Sequence, residues 1–308
     1  MKSLARTAIR RLVFSAPWGI RQAILDACID RIGDSVVCAR LLGKMHISEI
    51  GADGDCGLIT SAWNDQYVLP EYARHGTFFN TVTDAVLGFL DAQSGTYFDV
   101  GANIGLTTIN IARNKMTRCL AFEPEPSNFD FLLRNIARNL GEGAVECHQV
   151  ALFHTRSTMS LAIATQNTGD HRLTASGVPG RRSIDIAAVP LDDFLDRVRG
   201  PLAVKVDTQG AEPFVIAGGR AVFARAGLVA LEFCPYLMRQ LGGDPGIVID
   251  LLAGFDRVAV LHGGSADALS YRPPADAQRT LRDKLATAAA SDADYLDIVA
   301  IRDTAPAT

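Results

Sequence analysis

The feature that most constrains the fold is a short stretch in which an apolar strand runs into a turn punctuated by glycines. It reads Tyr97-Phe98-Asp99-Val100-Gly101-Ala102-Asn103-Ile104-Gly105, and a helix is predicted to follow over residues 106 to about 114. Gly101 and Gly105 let the backbone approach a ligand closely, and the helix directs free N–H groups towards it. The stretch therefore predicts a nucleotide-binding turn in an α/β protein.

The turn does not match the pattern for a dinucleotide. A pyrophosphate requires G-x-G-x-x-G without a neighbouring carboxylate, whereas Asn103 replaces the middle glycine and Asp99 ends the strand here. An acid at this point suits a cationic ligand, and S-adenosylmethionine carries both an ammonium and a sulfonium group. Asp99 is therefore predicted to bind the amino-acid end of this cofactor.

A second acid follows about 20 residues further on, where ribose recognition is expected. The strand Cys119-Leu120-Ala121-Phe122 ends at Glu123, which would accept hydrogen bonds from ribose hydroxyls. Alternatively, Asp99 and Glu123 only cap the helices that follow them, since acids are favoured at helix N-termini. The residues predicted to bind S-adenosylmethionine are Asp99, Gly101, Asn103, Gly105, Glu123 and Ala151.

Composition and charge are those of an ordinary globular chain. The 308 residues are 48% hydrophobic and 21% charged, and 30 basic against 34 acidic side chains give a formal charge of -4. Because this balance does not attract polyanions, no nucleic-acid partner is expected. The six cysteines are dispersed without a C-x-x-C pair, so neither a zinc site nor a disulfide framework is indicated.

The sequence predicts a cytoplasmic protein without an integral membrane segment. No stretch reaches the roughly 18 apolar residues that a transmembrane helix needs. Residues 1–32 show neither an uninterrupted apolar run nor a convincing cleavage site, so no signal peptide is expected. Their basic residues favour a helix packed on the body of the protein, with contact to an anionic membrane surface as the weaker alternative.

Three parts are predicted along the chain. Residues 1–92 form a mainly helical N-terminal extension, residues 93–303 an α/β domain, and residues 304–308 a tail. Helices are predicted over 21–32 and 80–92 in the extension. Asp53-Gly54-Asp55 predicts a surface turn rather than a calcium loop, because the later ligands and the closing Glu are missing.

Strands and helices alternate from Gly95 onwards, which predicts a sheet with helices on both faces. Strands are predicted over 96–100, 119–123, 145–150, 202–207, 228–233, 257–261 and 295–301, and helices over 105–114, 127–139, 191–198, 211–218, 236–241, 246–254 and 276–290. This is a Rossmann-like, mostly parallel seven-stranded methyltransferase sheet with an antiparallel last strand. An insertion over 152–190, with an extended pair at 159–164 and 184–189, is expected to carry substrate contacts.

Ligands of open parallel sheets bind beyond the carboxyl ends of the strands, where the strand order reverses. Acidic residues stand at such ends along the predicted sheet. They are Asp99, Glu123, Asp207, Glu212 and Glu232. Asp207 follows the strand Leu202-Ala203-Val204-Lys205-Val206 and is expected close to the transferred group. Glu212 alternatively serves as no more than a first-turn acid of the next helix.

Together these segments resemble the FkbM-type methyltransferases, a class I S-adenosylmethionine-dependent family. The matching segments are D-V-G-A-N-I-G at 99–105, F-E-P-E-P at 122–126 with Asn128-Phe129, G-D-H-R-L at 169–173, K-V-D-T-Q-G-A-E at 205–212 and L-E-F at 231–233. The resemblance covers about residues 80 to 260. It implies methyl transfer to a hydroxyl of a sugar, a glycan or a secondary metabolite, and it does not fix the acceptor.

Transfer to an alcohol needs a base, because an alcohol does not ionise near neutral pH. His171 and Asp207 are the predicted catalytic residues, although His171 is equally interpreted as a structural or acceptor-binding residue. The residues predicted to bind the acceptor are Asp170, Arg172, Gln209, Glu212 and Glu232.

Two further interpretations concern metal and function. Asp207, Glu212 and Glu232 could gather Mg²⁺ or Ca²⁺, but no metal is predicted, because alignment and a side-chain base suffice for the transfer. A non-catalytic S-adenosylmethionine-binding or scaffold protein is the main alternative function. A nicotinamide-dependent oxidoreductase is disfavoured by Asn103 and Asp99.

Overall fold

The structure is a computed structural model that describes residues 49–303, except 79, 91–93, 115, 166, 263–267 and 288–290. The predicted helix over 21–32 and the tail therefore lie outside the described residues. The strands are β1 Glu49–Ala52, β2 Ile59–Ala62, β3 Gly95–Val100, β4 Thr117–Phe122, β5 Glu146–His148, β6 Ala151–Leu152, β7 Ser157–Ala162, β8 Arg172–Thr174, β9 Ser183–Val189, β10 Leu202–Val206, β11 Leu228–Phe233, β12 Arg257–His262 and β13 Leu296–Ile301.

A seven-stranded sheet forms the centre, in the order β12-β13-β11-β10-β3-β4-β5. The strands from β11 to β5 run parallel, and β13 is antiparallel to both of its neighbours. All residues of β3 and β10 are buried, as expected for parallel strands covered on both faces. The predicted Rossmann-like sheet with its antiparallel last strand is confirmed.

Helices cover both faces of this sheet. They are α1 Val68–His75, α2 Asn80–Leu90, α3 Leu106–Ala112, α4 Pro126–Leu140, α5 Glu212–Gly218, α6 Arg220–Arg225, α7 Pro235–Gln240, α8 Gly246–Leu251 and α9 Pro274–Thr287. Two short 3-10 helices, Leu191–Arg197 and Leu252–Gly254, complete them. The helices α1 to α4 share one hydrophobic core, and α5 to α9 share the other. The sequence had not predicted α1 and α6.

The N-terminal part packs directly against the sheet. β1 and β2 form an antiparallel hairpin, so the predicted mainly helical extension also contains strands. The buried side chain of Asn135 in α4 forms two hydrogen bonds with this hairpin. Its amide donates to the carbonyl of Thr60, and its Oδ1 accepts the N–H of Thr60, both at 2.9 Å. The same amide donates to the carbonyl of Ile104 at 2.9 Å. Residues on the N-terminal side of the predicted boundary near 92 thus share a core with the sheet.

The insertion forms a second, four-stranded sheet in the order β6-β9-β7-β8. β7 and β9 pair antiparallel, with Met159 opposite Ile186, as the extended pair in the sequence predicted. Among the described residues, no helix has both the length and the apolar character that crossing a bilayer requires.

Candidate active site

The strand order reverses between β3 and β10, and the carboxyl ends of these strands open into a cavity of about 1120 Å³. Ligands of open α/β sheets bind at such a switch point. The cavity has three walls: the ends of the sheet strands, the insertion, and residues from the range 67–82 of the N-terminal part. This volume exceeds the usual range for a single small-molecule site and leaves room for two ligands.

Three residues of the glycine turn adopt left-handed backbone. Gly101 has φ +83°, Asn103 φ +51° and Gly105 φ +96°. A Cβ on Gly101 would stand 1.9 Å from the carbonyl oxygen of Asp207, so the turn and the end of β10 touch through backbone. Asn103 tolerates this conformation better than most residues, and its amide donates to the carbonyl of Thr168 in the insertion at 3.1 Å. The asparagine that replaces the middle glycine of a dinucleotide turn therefore links this turn to the insertion.

Glu123 forms an acceptor group at the edge of the cavity. Its Oε2 accepts the N–H of Asn103 at 2.9 Å, and its Oε1 accepts the N–H of Glu125 at 2.8 Å. Each carboxylate oxygen can accept a further bond, and the residue lines the cavity although its side chain is buried. Burial raises the pKa of Glu123 to about 8. The helix cap that follows is made by Glu125 rather than Glu123, because the side chain of Glu125 accepts the N–H of Asn128.

Asp99 lies beneath the cavity and does not line it. It is fully buried, and its Oδ2 accepts the hydroxyls of Thr107 and Thr108 of α3 at 2.7 and 2.6 Å. Its Oδ1 accepts from the ammonium of Lys205 at 3.3 Å. Through these hydrogen bonds Asp99 holds α3 and the side chain of Lys205 against the sheet. Direct contact of Asp99 with the amino-acid end of S-adenosylmethionine stays a prediction.

Lys205 is a buried cation between two carboxylates. Its Nζ lies 3.3 Å from Asp99 Oδ1 and 3.7 Å from Asp207 Oδ2, and it donates to the carbonyl of Gly101 at 3.3 Å. Burial opposes its charge, but Asp99 and Asp207 outweigh burial and raise the pKa of Lys205. Lys205 joins the glycine turn to the end of β10 through these contacts.

The loop after β10 presents Asp207 and Gln209 to the cavity. The amide of Gln209 donates to Asp207 Oδ1 at 3.0 Å and to Glu232 Oε2 at 3.1 Å. Glu212 does not line the cavity, because its carboxylate is buried in the loop, where it accepts the N–H groups of Thr208 at 2.8 Å and Gly210 at 3.1 Å. The role of Glu212 in acceptor binding stays a prediction. Its observed contacts stabilise the backbone of the loop after β10.

The insertion contributes a network of ion pairs at the cavity. Arg172 and Arg181 both pair with Asp170, and Arg172 also donates to Asp292 at 2.7 Å. Asp292 precedes β13, so the ion pair between Arg172 and Asp292 joins the insertion to the side of the sheet formed by β12 and β13. All four residues line the cavity.

His171 also lines the cavity, and its ring is tied to the backbone of the insertion. Its Nδ1 accepts the N–H of Ala164 at 3.1 Å. A neutral imidazole with an accepting Nδ1 carries its proton on Nε2. Burial lowers the pKa of His171, although Glu125 and Asp170 act in the opposite direction. In this state the free ring nitrogen, Nε2, is a hydrogen-bond donor.

Most predicted site residues meet at one cavity. The predicted residues that line it are Gly101, Asn103, Glu123, Ala151, Asp170, His171, Arg172, Asp207, Gln209 and Glu232. Asp99, Gly105 and Glu212 lie behind this lining. Gly105 packs against α4, since a Cβ there would meet Leu132 Cδ1 at 2.8 Å.

Sequence reasoning missed the wall from residues 67–82, together with Asn128, Arg181, Lys205 and Asp297. The signal for α1 was present, because Val68, Leu69 and Tyr72 have helical spacing before Gly76. Within the described part of the chain, no group of three or more His, Cys, Asp and Glu side chains is arranged to hold a metal ion. Transfer without a metal stays a prediction.

A doubly wound sheet with a glycine turn, an acid at the end of the next strand and a cavity at the switch point is the arrangement of α/β folds that bind nucleotide cofactors. The family model described as Methyltransferase FkbM domain matches residues 99–257. The chain belongs to this methyltransferase family, and its cofactor is S-adenosylmethionine. The nicotinamide alternative is therefore wrong. A search of curated proteins found no match.

Solved methyltransferase structures are similar at a low level. The O-methyltransferase TomG from Streptomyces achromogenes, in complex with SAM, has 13% identity and a TM-score of 0.37, covering 72% of this chain and 79% of that chain. An O-methyltransferase from Bacillus cereus, in complex with SAH, has 12% identity and a TM-score of 0.39, covering 73% and 82%. A precorrin-6y C5,15-methyltransferase from Geobacter metallireducens GS-15 has 12% identity and a TM-score of 0.36, covering 74% and 93%. Similarity at this level carries no information about the acceptor.

Proposed function

We propose that this protein O-methylates a hydroxyl of a sugar, glycan or secondary metabolite, with Asp207 as the base. The observation that carries the proposal is the position of Asp207 at the switch point, in the cavity lining and in backbone contact with Gly101. S-adenosylmethionine supplies an electrophilic methyl group. The acceptor oxygen bonds to the methyl carbon as the sulfur–carbon bond breaks, and its proton passes to Asp207.

The remaining lining supports a polar acceptor. Asp170, Arg172, Gln209 and Glu232 present charged or amide groups to the cavity, which suits an acceptor with several hydroxyls. The test is incubation of the purified protein with isotopically labelled S-adenosylmethionine and fractionated extracts, followed by mass spectrometry. A labelled methyl ether on a polyhydroxylated product supports the proposal, and labelled nitrogen or carbon products contradict it.

Glu123 is proposed to accept the ribose hydroxyls of the cofactor. Glu123→Gln keeps the size of the side chain and cannot ionise. At pH values above about 8, where the carboxyl of Glu123 is charged, the affinity for S-adenosylmethionine is therefore expected to fall by about tenfold or more, as for a lost charge-assisted hydrogen bond. Calorimetry measures this directly. Glu142→Gln is the matched control, because Glu142 is exposed and outside the cavity. An unchanged dissociation constant in folded Glu123→Gln removes Glu123 from the cofactor site.

The pH dependence of cofactor affinity gives a second test of Glu123. Hydroxyl donors bind the ionised carboxyl, and the pKa of Glu123 is raised to about 8 by burial. Cofactor affinity should therefore tighten in the wild type as the pH rises towards 8 and level off above it. The charge-free Glu123→Gln variant should lose this component of the pH dependence. Parallel pH profiles for the two proteins would contradict the assignment.

His171 is proposed to donate from Nε2 to the acceptor rather than to act as the base, because its Nδ1 accepts the N–H of Ala164. His171→Ala is expected to raise the KM for the acceptor about tenfold, the value of one hydrogen bond, with kcat changed little. Steady-state kinetics measures both. His154→Ala is the control, since His154 is exposed and outside the cavity. A fall in kcat of about 10²-fold or more at unchanged KM would return the role of base to His171.

A further inference from the structure

Gln209 occupies an unusual backbone position for its residue type. Its φ is +55°, in the left-handed region, which it shares among the described non-glycine residues with Asn103. Residues other than glycine, Asn and Asp rarely adopt this conformation, because it brings the Cβ too close to the backbone. Glycine would avoid this close contact, so the position is explained by what the glutamine side chain does.

The side chain bridges two carboxyl groups. Its single amide nitrogen carries two hydrogens, and it donates to Asp207 Oδ1 at 3.0 Å and to Glu232 Oε2 at 3.1 Å. The loop holds this amide in place, because Glu212 accepts backbone N–H groups on both sides of Gln209. One amide group thus contacts both Asp207 and Glu232 and spans the gap between the ends of β10 and β11.

The charges around the pair are unequal. Lys205 forms an ion pair with Asp207 Oδ2. Glu232 instead is faced by Asp207, by Glu212 in the loop, and by Asp297, its cross-strand partner on β13, with Lys205 as the opposing charge. Tyr295 near the start of β13 also interacts with both carboxyls of the pair. Burial and the three acids raise the pKa of Glu232 well above its ordinary value.

We propose that Gln209 is a positioning residue whose amide joins Asp207 and Glu232 into one carboxyl pair, in which Glu232 carries a proton beside the proposed base, Asp207. Oε2 of Glu232 accepts from Gln209, so the proton sits on Oε1. Asp207 is the base of the proposed O-methylation, and the kinetic part of this inference rests on that function. Neutral Glu232 adds an O–H donor beside the base, which favours acceptors that have a second oxygen near the reacting hydroxyl.

Two substitutions at Gln209 separate the amide from the backbone. Gln209→Met keeps the approximate size and removes the amide, and Gln209→Gly removes the amide and also relieves the left-handed strain. Both are expected to move the acidic limb of the kcat–pH profile upwards by about one unit, because the ionised base loses a hydrogen-bond donor. Gln240→Met, the same exchange at an exposed position of α7, should leave the profile unchanged.

A second measurement does not depend on activity. In the full-length protein labelled with ¹³C at glutamate carboxyls, the resonance that disappears in Glu232→Gln identifies Glu232. Its titration midpoint should lie well above that of exposed glutamates and should rise further in both Gln209 variants, because the pair loses its shared donor. This readout remains if the wild type methylates no hydroxyl, so failure of the proposed function and failure of the pair are distinguishable.

The inference is overturned if Glu232 titrates like an exposed glutamate. It is equally overturned if both Gln209 variants keep the wild-type titration of Glu232. A lower kcat in Gln209→Met with an unmoved pH profile and a wild-type profile in strain-free Gln209→Gly would show a role only in loop structure, which also overturns it.

Discussion

Asp207→Asn is expected to slow methyl transfer by about 10²–10⁴-fold, the range associated with loss of a general base. The substitution keeps the size of the side chain and an oxygen that can still accept from the amide of Gln209, but it removes the group that takes the acceptor proton. Cofactor affinity should change little, because the proposed cofactor contacts, Glu123 and the glycine turn, follow β4 and β3, whereas Asp207 follows β10. Single-turnover kinetics with saturating cofactor measures the chemical step.

Acceptor acidity sharpens this test. A phenolic analogue ionises more readily than an aliphatic alcohol, so it depends less on a base, and the rate loss in Asp207→Asn should shrink for the phenol. Asp185→Asn is the matched control, since Asp185 is exposed on β9 and outside the cavity. A rate within about threefold of wild type on both acceptors would remove Asp207 as the base, and the non-catalytic alternative would gain support if the wild type were equally inactive.

The sheet could be predicted because buried parallel strands appear in the sequence as short, nearly continuous apolar runs. Leu202–Val206 and Leu228–Phe233 are short, mostly apolar runs with helical segments between them, and this alternation implies parallel pairing. The position of Glu123 at the cavity could be predicted as well. The number of residues between a glycine turn and the acid that ends the next strand depends only on the one helix and one turn between them. These features are local, so the sequence is sufficient for them.

The roles of Asp99 and Lys205 required the register of the strands. Side chains alternate between the two faces of a strand, and Tyr97 packs in the core of α1 to α4 while Phe98 packs in the other core. Asp99 shares the face of Tyr97 and lies opposite Lys205 on β10. The lysine that interrupts an otherwise apolar strand therefore forms an ion pair with the buried Asp99, while Lys205 itself also lines the cavity.

The cavity wall from residues 67–82 could not be predicted from local patterns. These residues reach the site through tertiary contacts: the β1–β2 hairpin before them is hydrogen-bonded to Asn135 of α4, and Val68, Leu69 and Tyr72 pack in the core that α1 shares with α4. The ring orientation of His171 likewise depends on a backbone N–H seven residues away in the insertion. Such contacts arise from tertiary packing, so they cannot be predicted from the spacing of residues along the chain.

Gly101→Ala is expected to give the largest loss of stability of any single methyl addition in the turn, more than about 4 kcal/mol or no folding at all. A Cβ at this position would lie 1.9 Å from the carbonyl oxygen of Asp207, and that backbone is held by the bond from the N–H of Asp207 to the carbonyl of Val100 at 3.0 Å. On the other side, the N–H of Gly101 donates to the carbonyl of Phe122 at 3.0 Å. The clash therefore falls between two strand ends that are both fixed by the sheet.

Gly143→Ala separates this clash from backbone strain. Gly143 has φ +75°, close to the φ of Gly101, and a Cβ there would meet nothing within 4 Å. Its substitution should cost only the left-handed strain, about 1–2 kcal/mol, and denaturant unfolding of both variants measures the difference. Equal losses would mean that β3 and β10 can separate at little cost. In that case the backbone contact between the glycine turn and Asp207 would not be rigid, and the proposed position of the base would lose its main structural support.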